Sequence, residues 1–267
     1  MTLLISWIGA DDNKGGKLPA SLYIASDSRY SWSEKTTFET GIKTYGCINY
    51  PEIFGFCGDV LLPSLILNGV IPQIDEGLLF DSKFTAEQKK ASIAEIIKAN
   101  IDSYPIEKTT GQFTILYGTR IGQIFSCFKF SFNPLNGFET KEIQLPNEST
   151  IIYSGGSGGQ EFDQNFRLYK SDKENNSRTS RGVYHCLIKT LNSIKDKRTG
   201  YVPQIMGLYR NKNRKLFGII KDGKRYINGF EVKENKKLEG IEWRNDNFER
   251  VNPKDFKLLE GAQRQPF

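Results

Sequence analysis

Two apolar runs near the start of the chain, Thr2–Ile8 and Leu22–Ala25, flank a polar segment carrying Asn13, Gly15, Gly16 and Pro19. That pattern predicts two strands joined by a long hairpin loop, with Asp27 at the end of the second strand. The polar stretch YSWSEKTTFE, residues 30–39, reads as a loop. Short apolar runs at 41–48 and 52–57, separated by Asn49-Tyr50-Pro51, predict a second hairpin and place Lys43 inside a strand. Gly58-Asp59 opens a helical stretch in which Leu61, Leu62, Leu65, Ile66, Val70 and Ile71 recur at helical spacing. Pro63 suits its first turn and Pro72 its end. Thr85 and Gln88 have capping-box spacing, and Ile93, Ile96, Ile97 and Ile101 continue as one apolar face of an amphipathic helix.

Strand-like runs follow at 112–118, 123–131, 138–144 and 150–153. A second helical pair is predicted over 157–173 and 180–194, broken by the exposed connection SDKENNSRTS. Strand character returns at Tyr201–Tyr209 and Lys215–Ile220, and Asp222-Gly223 is a hairpin turn signal. Strands, helices, strands, helices and strands in that order favour two packed sheets between two helical layers, an α+β protein. There is no internal repeat. The soft boundary near residue 210 separates a main domain, 1–210, from a 211–267 extension that packs on it or continues it.

Composition narrows the classes. With 267 residues, 38% hydrophobic and 25% charged, a folded soluble protein is expected. Cys47, Cys57, Cys127 and Cys186 show no CxxC spacing and three lie in apolar runs, which points to buried reduced thiols in a cytoplasmic protein. The single histidine, His185, lies on a predicted helix. A metal site with several histidine ligands is therefore excluded, a Ser-His-Asp triad would have to use His185, and a structural role is favoured. The apolar start lacks a basic n-region, so it is not read as secretory, and Val60–Ile74 is interrupted by Pro63, Asn68 and Pro72, so no membrane span is expected. Net charge is +6, and from Arg210 onward there are fifteen Lys or Arg against nine Asp or Glu, so the basic excess belongs to the extension. Aromatics beside Arg225, Arg244 and Arg250 give a faint nucleic-acid pattern. A solvated surface with interspersed acids is the preferred reading.

The candidate chemistry starts at Thr2. A chain beginning Met-Thr is expected to lose its initiator residue, leaving a hydroxyl and a free amine on one residue at the mouth of a sheet. An α-amine with a pKa of about 7.7–8.0 is a base available near neutral pH, and Thr with its own amine can replace a Ser-His pair. Such a site needs a cation that lowers the hydroxyl pKa, a carboxylate to orient it, and N–H donors for an oxyanion. Lys43 and Asp27 are the candidates for the first two. Lys35 competes with Lys43 but lies in the predicted loop. Gly58 is the candidate N–H donor, because glycine lets the backbone approach closely and a helix N-terminus follows it.

These residues carry a resemblance. Thr2, then IASDSR with Asp27, GIKTYGCI with Lys43 and FGFCGD with Gly58, resembles the proteasome β-subunit type of N-terminal nucleophile (Ntn) hydrolase over roughly residues 2–210. The Asp27 to Lys43 interval is the one that family uses. SGGSGG at 154–159 resembles its Ser-containing glycine loop, with Ser157, and DKRTGY at 196–201 resembles its Asp-x-x-Ser-Gly segment, with Asp196 and with Thr199 in place of Ser. Family members often carry a propeptide cut after Gly, whereas only Met1 precedes Thr2, and the first hairpin loop is longer than theirs. The extension has no counterpart. The resemblance implies a four-layer αββα sandwich, a threonine-type peptidase acting through an acyl-enzyme ester, and Ser157, Asp196 and Thr199 as holders of the amine and its protons. It also implies stacked rings, an ATP-dependent unfoldase partner, a polypeptide substrate, and no metal or organic cofactor. Two other readings stay open: an amidohydrolase for a small acyl-amide, and a non-catalytic assembly subunit that keeps Met1.

Overall fold

The computed structural model describes residues 2–13, 16–105, 111–171, 178–233, 238 and 240–262. Met1, and with it the expected loss of the initiator residue, lies outside them, as do most of the 171–180 connection and the last five residues of the extension. β1 (Leu4–Asn13) and β2 (Gly16–Asp27) pair antiparallel from Leu4↔Ser26 out to Asn13↔Gly16. The expected long hairpin loop is thus mostly ladder. Asp11 and Lys17 there are exposed, so hydrophobic alternation vanishes while backbone pairing continues. A register shift at Gly9/Ala10 accommodates Pro19, which stands opposite Ala10 at that irregularity. Arg210 donates to the carbonyls of Pro19 (2.9 Å) and Leu18 (3.0 Å), fixing this outer part of β2.

The larger sheet runs β10 (Thr150–Gly155), β1, β2, β11 (Pro203–Tyr209), β12 (Lys212–Lys221), β13 (Lys224–Ile227), β14 (Phe230–Glu231), with β15 (Glu242–Arg244) parallel to β12. The β12–β13 turn has Asp222 at φ 50° and Gly223 at φ 70°, as a two-residue primed hairpin requires. A second sheet runs β5 (Thr44–Gly46), β6 (Glu52–Gly58), β7 (Phe113–Ile121), β8 (Ile124–Asn133), β9 (Gly137–Ile143), antiparallel throughout. Residues 30–39 are not wholly loop: β3 (Tyr30–Ser31) and β4 (Thr37–Phe38) form a two-residue ladder.

Among the described residues there are four α-helices. α1 (Leu61–Asp75) continues past Pro72, which sits inside the helix rather than ending it; Pro72 still accepts the Glu76 N–H at 2.9 Å. α2 (Ala86–Ser103) starts with both capping-box bonds between Thr85 and Gln88. α3 (Gly159–Ser171) and α4 (Ser180–Ser193) follow.

Three buried clusters hold these elements. Leu4, Ile24 and Met206 of the larger sheet meet Ile53, Leu116 and Cys127 of the second. Trp7, Tyr23 and Ile205, from the other face of the larger sheet, pack with Phe162 of α3 and Leu187 of α4. Phe54, Tyr117 and Phe130 of the second sheet pack with Ile66 of α1 and Ile97 of α2. Each fully buried large apolar side chain contributes about 1.5–3 kcal/mol. Phe248, from the extension, enters the second of these clusters with its ring 4.7 Å from that of Tyr184. The architecture is therefore mixed α/β, with β12 of the extension hydrogen-bonded directly to β11.

Candidate active site

Asp27 ends β2 with its carboxylate wholly buried. Burying a carboxylate is costly unless its lone pairs accept hydrogen bonds, and here four donors fill them. The Leu3 N–H (2.9 Å) and the Lys43 ammonium (2.9 Å) reach Oδ1; the Gly200 N–H (3.0 Å) and the Arg29 N–H (3.2 Å) reach Oδ2. Lys43 precedes β5 rather than lying inside a strand. Its position is nonetheless fixed, because its N–H donates to Gln204 Oε1 at 3.0 Å and its carbonyl accepts the Phe56 N–H at 3.0 Å. Side-chain exposure is 0% for both members of the pair. Burial lowers the Lys43 pKa, and Asp27 opposes that shift.

Thr2 is one residue from the Leu3 amide that Asp27 holds. It is completely buried, and its Oγ1 has no hydrogen-bond partner among the described residues. Its carbonyl accepts the Gly158 N–H at 3.3 Å, so the glycine loop between β10 and α3 closes over it. Gly156, at φ +81°, is where glycine is required: a Cβ there would come within 2.0 Å of the Thr2 carbonyl oxygen.

The other sequence candidates sit as follows. Ser157 Oγ is 3.2 Å from Thr199 Oγ1, and Thr199 is buried beside Gly158. Burial opposes ionisation of Asp196, but Arg198 and Ser157 outweigh it and hold the carboxyl below its usual value. Arg198 Nε lies 2.8 Å from Asp196 Oδ1. Gly58 has φ +96°, with Gln112 O only 2.3 Å from a would-be Cβ. Its neighbour Cys57 lies 3.4 Å from a would-be Cβ on Gly156, so the strand end reaches the loop over Thr2. The helix expected to offer free amides straight after Gly58 begins later, at Leu61. The Leu61 N–H is taken by Asp59 Oδ1 at 2.9 Å, so the first amide of that helix is satisfied by its own chain.

Three residues that sequence reasoning passed over complete the surroundings. Gln204 ties Lys43 to the Gly41 carbonyl (2.5 Å) and the Asp27 carbonyl (3.4 Å). A lone polar residue in the apolar run VPQIMGLY was its available signal. Gly200 and Arg29 serve Asp27 through the backbone, which leaves no mark on residue type. Cys57, although close to Lys43, is a poor nucleophile, because burial pushes its thiol up to about 11. His185 stands apart, its ring 6.0 Å from that of Tyr169 and its pKa lowered by burial and Lys189.

No protein-family model matches the chain, and no curated protein does. Solved structures do. The chain is similar to Anbu (ancestral beta-subunit) from Yersinia bercovieri, at 12% identity and TM-score 0.52, over 78% of this chain and 82% of that one. It is also similar to an Anbu mutant from Hyphomicrobium sp. strain MC1, at 12% identity and TM-score 0.50, over 80% and 82%. At that identity the likeness is one of fold alone: a mixed α/β chain whose fold is similar to that of Anbu (ancestral beta-subunit).

Proposed function

We propose that the protein is a threonine-type peptidase whose nucleophile is Thr2, exposed by removal of Met1. The observation that carries this reading is the partnerless buried hydroxyl of Thr2 beside a carboxylate, Asp27, that orders both the Leu3 amide and the Lys43 ammonium. The freed amine takes the hydroxyl proton while Oγ1 bonds to the peptide carbonyl carbon. Lys43 favours the alkoxide, and the Gly58 N–H receives the oxyanion. The C–N bond then breaks, its nitrogen takes the proton back from the Thr2 ammonium, and an ester remains. Water, deprotonated by the same amine, releases it. Ser157, Thr199 and Asp196 hold the amine and relay its protons.

The same proposal includes a four-layer αββα sandwich, which the three buried clusters support, and residues 211–267 continuing the main domain, which the β11–β12 pairing supports. It includes ring assembly, a polypeptide substrate, an unfoldase partner and a cytoplasmic location. No helix among the described residues is long and apolar enough to cross a membrane. Complete burial of Thr2 is the one observation favouring the rival reading, a non-catalytic assembly subunit retaining Met1. Intact-mass measurement together with fluorogenic peptide and acyl-amide assays separates them. Loss of Met1, peptide turnover, and abolition of that turnover by Thr2→Ala without loss of fold are expected. Retained Met1 or turnover by Thr2→Ala overturns the mechanism, and acyl-amide turnover alone identifies the amidohydrolase instead.

A further inference from the structure

Midway along the β1–β2 hairpin, at the Gly9/Ala10 register shift about 23 Å from Thr2 at ~3.3 Å per residue, lies a cavity of about 640 Å³. Its walls are the bulged part of β1, the N-terminus of α4, the start of β12 and the segment from Glu242 to Gly261. Among the described residues six cationic side chains line it, Arg178, Arg181, Lys212, Lys215, Arg244 and Arg250, against one carboxylate, Glu242. That carboxylate is already shared between Lys215, at 3.2 Å, and Arg244. The extension's basic excess, which in the sequence resembles a solvated surface, is thus partly gathered around a concave site.

Arg244 and Lys215 are held in place, both by Glu242. The Arg244 guanidinium lies 4.5 Å from the Phe248 ring centre and donates to the Phe248 carbonyl at 2.6 Å, while its Nε is buried without a partner. Burial and the like charge of Arg244 lower the Arg181 pKa, with Glu249 opposing. An anion relieves that repulsion, and guanidinium groups match phosphate oxygens bidentately. The amino end of α4, a 14-residue helix, adds its partial positive charge from the opposite wall. Gly9 lets the wall close up locally: a Cβ there would come within 2.5 Å of both Ser21 Oγ and Ser180 Oγ, so both serine hydroxyls pack over its backbone beside the cavity. The volume falls within the ~300–1,000 Å³ of small-molecule pockets, well beyond inorganic phosphate.

The geometry points to a binding site for a phosphorylated small molecule, nucleotide or sugar phosphate in size, separate from the Thr2 site. Calorimetric titration of the full chain with ADP, ribose 5-phosphate and adenosine tests it. One saturable site for at least one phosphate, none for adenosine, and weakening at high salt are expected. Which phosphate binds more tightly tells a nucleotide from a sugar phosphate site. The double variant Arg178→Gln/Lys212→Gln, both exposed side chains, should weaken binding at least about tenfold. Because the readout is binding, Thr2→Ala should leave it unchanged, so this inference and the peptidase reading fail independently. It is overturned by no saturable binding of either phosphate, by undiminished binding in the double variant, or by single-stranded RNA binding more tightly than both phosphates.

Discussion

Among the described residues there are two buried lysine–carboxylate pairs, and one of them lies beside the proposed nucleophile. Lys43 meets Asp27 at 2.9 Å; Lys89 of α2 meets Glu52 of β6 at 2.5 Å, and Tyr117 donates to the other Glu52 oxygen at 2.6 Å. Each has a buried threonine beside it, Thr2 near the first, its hydroxyl without a hydrogen-bond partner among the described residues, and Thr119 directly opposite Glu52 across β6–β7. Burial, an ion pair and a neighbouring threonine therefore do not make a site. What differs is the backbone. Thr119 lies mid-strand in β7, paired on both sides, and its nitrogen is an amide that cannot act as a base. Thr2 precedes β1, and one peptide-bond hydrolysis would give it an amine. The ordering of the carboxylate differs too: three backbone N–H groups from separate segments fix Asp27, while side chains fix Glu52.

The largest effect expected from that contrast comes from replacing each pair whole. Removing one partner of a buried pair strands the other and costs about 3–5 kcal/mol, whereas replacing both with apolar residues is often near neutral. Glu52→Leu with Lys89→Met should therefore leave peptide turnover within about threefold of the parent and shift the urea midpoint little. Asp27→Leu with Lys43→Met should cut turnover by at least about 10³, on the scale of removing part of a catalytic unit. Equal losses from both double variants would erase the distinction.

How far the contrast could be read from the chain depends on the length scale of each signal. Asp27, Lys43 and the helix pairs were legible because strand ends, apolar runs and the Thr85–Gln88 cap are local. The outer half of the first hairpin was not, since its pairing is sustained by a register shift and by Arg210, nearly two hundred residues away. Lys43 was placed inside β5 from its apolar neighbours, whereas its position is set by Gln204 on β11. The Glu52–Lys89 pair left no trace, because a Glu in a strand and a Lys on a helix read as surface until the fold brings them together. The basic cavity was hidden for the same reason, its cations being spread from Arg178 to Arg250.

A smaller effect sharpens the role of the backbone around Thr2. Gly156 and Gly122 both have positive φ, +81° and +59°, but a Cβ on Gly122 meets nothing within 4 Å. Gly122→Ala should cost only the conformational penalty, about 1 kcal/mol, with turnover unchanged. Gly156→Ala must displace the Thr2 carbonyl, and a displacement of about 1 Å at a reacting group costs about 10²-fold in rate. Comparable turnover in the two variants would mean that the glycine loop does not position Thr2.

The smallest effect concerns Asp196, at the edge of the same region. Its carboxyl is depressed in the folded state, so its contribution to stability is present above the unfolded value near ~3.9 and is lost as pH falls through the folded one. Arg198 and Asp196 are partly solvated, with 33% and 15% side-chain exposure, which limits the pair to about 0.2–1 kcal/mol. Asp196→Asn should therefore lower the melting temperature slightly at neutral pH, and the gap to the parent should close on the acid side. A gap of constant size from neutral to strongly acidic pH would show that the carboxylate charge is not what Ser157 and Arg198 stabilise, and would leave Asp196 as a turn residue with no electrostatic part beside Thr2.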